Sequence, residues 1–168
     1  MYKICNGNLL YHGCIPMNPD GSFMEIKTPE GVFSARSLMD YIGKKAVDAY
    51  FLDEKEHPAE KQNASDLMWY LWCGPKSPLF GKDKITTFEN CFVDEPVLCV
   101  EKYNPYYSFS REETYVDRIL EEFGLGTEGA HIINGHVPVK VKKGENPVKA
   151  NGKLFIIDGG LSKAYHAK

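Results

Sequence analysis

Three short apolar runs, each closed by a glycine, most restrict what this chain can fold into. They are LLYHG at 9–13, HIING at 131–135 and LFIIDGG at 154–160. HIING and LFIIDGG are wholly apolar and read as strands buried within a sheet, while LLYHG reads as the second strand of a hairpin. Two of them meet a histidine at the run's end: His12 before Gly13, and His136 after Gly135. A strand that stops on a histidine and then turns sharply is the question the sequence poses.

Between these runs the pattern changes. YKIC and NLLY flank Asn6-Gly7, a favoured two-residue hairpin turn. NPDG at 18–21 is a further turn, and FMEIKT alternates like a strand before PEG. SARSLMDYIGKKAVDAYFL has helical spacing, with Ser34 as N-cap and Leu38, Ile42, Val47 and Phe51 near one face. The polar stretch 53–65 reads as a solvated helix end or loop, limited by Pro58, and His57 within it as exposed. A second helix starts from Ser65 or Asp66 and ends at CGPKSP, a loop packed on Trp69 and Trp72 or facing a substrate. PVLCV reads as a strand followed by an aromatic loop, YNPYYSF. SREETYVDRILEEFGLG is the clearest helix, with a Ser110–Glu113 capping box and a stripe of Val116, Ile119, Leu120 and Phe123. VPVKVKKG alternates and reads as half exposed. The fold class is therefore mixed α/β.

Composition excludes several functions. Apolar residues are 43% of the 168, enough for a real core. A net charge of -3 argues against a generic nucleic-acid surface. No apolar run approaches the roughly 20 residues of a membrane span, and MYKICNGNLL lacks signal-peptide anatomy. Five cysteines without a CxxC pair fit neither a disulfide framework nor a structural zinc site, and point to reduced thiols in a cytoplasmic protein. The chain opens close to a strand, with no element before it, which suggests a piece of a longer protein. There is no GxxxxGK[ST] and no GxSxG.

Functional residues in α/β sheets gather where strands end, and neutral imidazole is a common metal ligand. His12 and His136 can thus converge on one ion from two neighbouring strands. The plainer alternative is a pair of hydrogen-bonded histidines at the edge of a core, and a separation above about 8 Å would favour it, since ligands lie about 2.0–2.1 Å from an ion. Asp158 is a third candidate, though Asp-Gly also forms turns. His131 reads as a strand anchor and His166 as exposed. Lys76, Lys82, Lys102, Lys140 and Lys163 are the cations near expected loops.

The segments YHGCIPMNPDGSF, WYLWCGPKSPLFGKDK with TTFE after Ile85, HIINGHVPVKVKKGE and ANGKLFIIDGG with SKAY after Leu161 together resemble the class III fructose-1,6-bisphosphatases of Firmicutes and Bacteroidetes. That family is a branch of the calcineurin-like metallophosphoesterases, whose fold is a β-sandwich flanked by helices. The resemblance implies metal-assisted hydrolysis of fructose 1,6-bisphosphate at a dinuclear Mn2+ centre, in gluconeogenesis. It implies that His12 and His136 are the two late histidine ligands, both of one ion. Asp-x-His, Gly-Asp-x-x-Asp-Arg-Gly and Gly-Asn-His-Glu, which supply the family's other ligands, do not occur here. Residues 1–168 are therefore expected to be the C-terminal portion of a longer enzyme, inactive without its N-terminal portion. YLWCGP resembles the superfamily's Leu-Trp-Ser-Asp-Pro loop, with Gly74 in place of the Asp, so no general acid is assigned. Lys76 and Lys163 are the expected substrate contacts. A homo-oligomer is compatible with this reading. The alternative is a non-catalytic phosphate- or partner-binding module that shares the fold.

Overall fold

The structure, a computed structural model, describes residues 1–140 and 144–158. It is mixed α/β, built on one five-stranded sheet. The Asn6-Gly7 hairpin forms as expected: both residues take positive φ, 49° and 74°, as a tight two-residue turn demands. It joins β1 (Tyr2–Cys5) to β2 (Asn8–Tyr11). A separate two-stranded hairpin follows, β3 (Ile26–Thr28) and β4 (Gly31–Phe33). The helices are α1 (Ala35–Phe51), α2 (Pro58–Cys73), the short α3 (Glu89–Phe92) and α4 (Tyr106–Phe109), and α5 (Glu113–Glu122). β5 (Ile132–Asn134), β6 (Val148–Lys149) and β7 (Leu154–Ile156) complete the sheet.

The sheet order is β1-β2-β5-β7-β6. The three apolar runs are its three central strands, and they are parallel: Leu9 pairs with Ile132, and Ile132 with Leu154. Two antiparallel strands flank them. All three central strands therefore point their carboxyl ends at one edge of the sheet. One sheet face buries Leu9, Tyr11, Ile132 and Leu154 against Met39 of α1, Tyr106 of α4, and Val116, Ile119 and Leu120 of α5. A smaller cluster of Leu38, Ile42 and Leu71 joins α1 to α2 under the β3–β4 hairpin.

Several expected elements differ. Pro58 opens α2 instead of limiting helix, because the first helical position needs no N–H. Ser65 then falls inside the helix, its hydroxyl donating back to the Lys61 carbonyl. Val47 and Phe51 are exposed, because the end of α1 runs past the core. Trp69 and Trp72 are also exposed and do not support the following loop. In FMEIKT only Ile26–Thr28 is strand. PVLCV is not a strand: Val97, Leu98 and Val100 are exposed, and no strand among the described residues pairs with them. The aromatic loop is instead the helical turn α4, which ends on Ser110, so the Ser110–Glu113 capping box does not form: Glu112 holds the N-cap position of α5 without a side-chain cap bond. No strand forms at 137–140, and residues 141–143 lie outside the described region.

Candidate metal centre

His12 is the first residue after β2, and His136 stands two residues after β5. Parallel pairing of Tyr11 with Asn134 brings these strand ends side by side. The ladder continues one step further, where the Gly135 N–H donates to the His12 carbonyl at 3.1 Å. His12 Nε2 and His136 Nδ1 are 3.1 Å apart, and the ring centroids 4.9 Å, so the two histidines do converge. His136 adopts φ 70°, a left-handed conformation unusual for a non-glycine residue. Holding a side chain there costs on the order of 1–3 kcal/mol, a cost typical of functional positions.

The second support is the loop after α2. His136 Nε2 donates to the Phe80 carbonyl at 2.8 Å. A carbonyl only accepts, so this contact places the imidazole hydrogen on Nε2 and leaves Nδ1 with a lone pair. The loop reaches the strand ends because Gly13 has no side chain: a Cβ there would stand 2.0 Å from the Pro78 carbonyl oxygen. The Cys14 N–H donates to that same oxygen at 2.7 Å. Partial burial, with His12 and Lys82 nearby, lowers the His136 pKa, against the opposing effects of the Phe80 carbonyl and Asp158. The ring is thus neutral near pH 7, the form that binds a metal.

Asn134 is the buried polar residue of this corner. Its side-chain amide reaches the carbonyls of Tyr11, His12 and Gly13 at 3.3, 3.1 and 2.7 Å, fixing the turn that follows β2. Sequence reading passed over Asn134, Ser77 and Phe80. The available signals were an amide inside an otherwise apolar strand, and a Ser-Pro start to a tight turn.

The other candidates separate clearly. Asp158 follows β7 at the same sheet edge, and its charge acts on His136. His131 sits at the opposite end of β5, where its backbone N–H and its Nδ1 both bond the Asn8 side-chain oxygen, so it is a strand anchor. Lys82 lies near His136 but is paired with Glu101 at 2.7 Å and sits over the Tyr103 ring. Lys102 and Lys140 are exposed, their backbone N–H groups bonded to Asp83 and Glu145. Lys76 is exposed on the same loop as Phe80. Lys163 and His166 lie outside the described residues. All five cysteines are free.

Two nitrogens 3.1 Å apart, each about 2.1 Å from one ion, subtend about 95° at it. That is close to the right angle between adjacent octahedral ligands, a geometry that manganese adopts. Among the described residues, no group of three His, Cys, Asp or Glu side chains could hold an ion. The pair therefore fits one corner of a metal site and not a whole one.

Two histidines converge at the carboxyl edge of a parallel sheet, with their facing ring nitrogens 3.1 Å apart. The family model described as Firmicute fructose-1,6-bisphosphatase matches residues 1–168, and the chain belongs to that family. A class 3 fructose-1,6-bisphosphatase of Finegoldia magna is 52% identical over 168 residues, covering all of this chain and 26% of that protein. Proteins of the same description from Clostridium botulinum strains Kyoto and Loch Maree are 52% identical over 165 residues, covering 98% of this chain and 24% of theirs. The chain thus spans about a quarter of the length of these curated relatives. No solved structure matches it.

Proposed function

We propose that this chain supplies one half of the metal site of a cytoplasmic, gluconeogenic fructose-1,6-bisphosphatase. That enzyme would hydrolyse the 1-phosphate of fructose 1,6-bisphosphate to give fructose 6-phosphate and phosphate. The observation that carries the reading is the 3.1 Å convergence of His12 and His136, with the Phe80 carbonyl leaving His136 Nδ1 free to coordinate. His12 Nε2 and His136 Nδ1 would hold one Mn2+ of a pair. When bound, such ions supply an activated water and neutralise phosphoryl oxygens. This chain's own residues provide rigidity: Asn134 holds the His12 turn, and the 74–81 loop holds the His136 ring. Lys76, which makes no ion pair among the described residues, and Lys163 are proposed as contacts to substrate oxygens.

A bridging carboxylate and the remaining ligands would come from the portion of the family's length that this chain does not span. The same portion would cover the outer face of the sheet, where Phe155 and Ile157 are exposed, and would supply the second layer of a calcineurin-like sandwich. The purified 168-residue chain is expected to release no substantial phosphate from fructose 1,6-bisphosphate with Mn2+ present; robust turnover would refute the reading. Titrating Mn2+ against the chain and its His12→Ala and His136→Ala variants tests the ligands. Unchanged binding in both variants would remove the assignment.

A further inference from the structure

The structure presents two imidazoles to each other through single nitrogens, and their hydrogens cannot be placed independently. The Phe80 carbonyl requires a hydrogen on His136 Nε2, at 2.8 Å. A neutral imidazole carries one N–H, so His136 Nδ1 is an acceptor. It faces His12 Nε2 at 3.1 Å, and the hydrogen of that contact must then sit on His12. One ring is already arranged to coordinate, and the other is not.

The Phe80 carbonyl is itself held in place. Ser77 is buried, and its hydroxyl accepts N–H donors from Leu79 at 3.1 Å and Phe80 at 3.2 Å while donating to the Leu71 carbonyl at the end of α2. Ser77 also closes the turn from the other side, its carbonyl accepting the Gly81 N–H at 3.0 Å. A serine hydroxyl that gathers the next two or three backbone N–H groups fixes a turn as an N-cap fixes a helix start. Side chains that orient a metal-ligating histidine through its second nitrogen are a general means of tuning such sites.

We propose that the 74–81 loop is a tautomer clamp: Ser77 is a positioning residue that aims the Phe80 carbonyl at His136 and fixes that ring as an Nε2–H tautomer. His136 is then the pre-set ligand, coordinating through Nδ1 without rearrangement. His12 binds second in this sense, because its proton must leave Nε2 and return on Nδ1, through solvent, to which the ring is exposed. The significance of the clamp rests on the metal reading above, but the tautomers themselves do not depend on it.

The test is imidazole nitrogen–proton correlation NMR on the 15N-labelled 168-residue chain, near pH 7.5 and without metal. His136 is expected as a single Nε2–H tautomer, and an Nδ1–H or mixed ring overturns the inference. In His12→Ala the His136 tautomer should be unchanged, because Phe80 and not His12 sets it; a change of tautomer there also overturns it. In Ser77→Ala, with the backbone spectrum confirming the fold, His136 should become a tautomer mixture, and an unchanged single form removes Ser77 from the role. Should that variant unfold, the wild-type and His12→Ala spectra still decide. Zn2+, a diamagnetic probe ion, should then move His12 to Nδ1–H and leave His136 as it was. If Zn2+ leaves both rings unmoved while His136 is a fixed Nε2–H tautomer, the clamp stands and the metal site itself is refuted.

Discussion

Gly13 shows how much of the site depends on single atoms. Its missing side chain lets the loop after α2 lie against the end of β2, with the Pro78 carbonyl oxygen where a Cβ would be, 2.0 Å away. Backbone on both sides makes relief difficult. Gly13→Ala is expected to lower stability by about 1–3 kcal/mol, read as a fall in the urea midpoint, and a midpoint equal to wild type would show that the loop moves freely. The neighbouring Cys14 is buried, and burial pushes its thiol pKa up to about 12. Thiolate, not thiol, is the reactive form. Iodoacetamide at pH 8 should therefore label exposed Cys5 and Cys91 and leave Cys14 unmodified until denaturant is added; early labelling of Cys14, mapped by mass spectrometry, would contradict its packing. At this scale the sequence disclosed the two histidines, because an imidazole at the end of an apolar run is conspicuous. It did not disclose Ser77 or Phe80, because they act through backbone groups that only the folded loop brings within reach of His136.

Helix α2 illustrates why elements are harder to read than strands here. HIING and LFIIDGG are legible as buried strands because a strand on a packed face has few polar residues to confuse the pattern, while LLYHG, read as a hairpin strand, is also central. In α2 the apolar content is misleading: Leu71 is 3% exposed, while Trp72 beside it is 69% exposed. Hydrophobicity alone assigned the tryptophans to the loop's support, but helical geometry turns them outward and sends Leu71 to Leu38 and Ile42. The contrast is measurable. Leu71→Ala should cost about 2–5 kcal/mol as a core truncation, whereas Trp72→Ala should stay within about 0.5 kcal/mol, both from chemical denaturation. Similar losses for the two would mean that Trp72 contributes more than its exposed edge-on contact with Trp69, 5.7 Å between ring centroids. The PVLCV run fails for a related reason: β-branched residues favour a strand only where a neighbouring strand offers pairing and burial, and none lies beside residues 96–100 among the described residues.

The molecule as a whole is covered on one side. Helices α1 and α5 seal one face of the sheet, while the other carries Leu10 and Ile133 half-buried, with Phe155 and Ile157 exposed at 37% and 50%. Met1, Lys3, Leu10, Ile133 and Ile157 line one shallow apolar surface there. A sheet face with this composition ordinarily lies against another layer, and a large exposed apolar patch marks an interaction surface. The folded chain should therefore bind a hydrophobic dye such as ANS in native buffer, with a near-UV spectrum that excludes a loosened core as the cause. A Leu10→Thr, Ile157→Thr double variant keeps β-propensity on the open face. It should cut dye fluorescence several-fold with a much smaller change in unfolding midpoint, because the buried face is untouched. Absence of dye binding by the wild-type chain would show that the face is already covered, and the need for a second layer would disappear. If the dye binds and the double variant abolishes it, the open face is the apolar surface that the proposed second layer would cover.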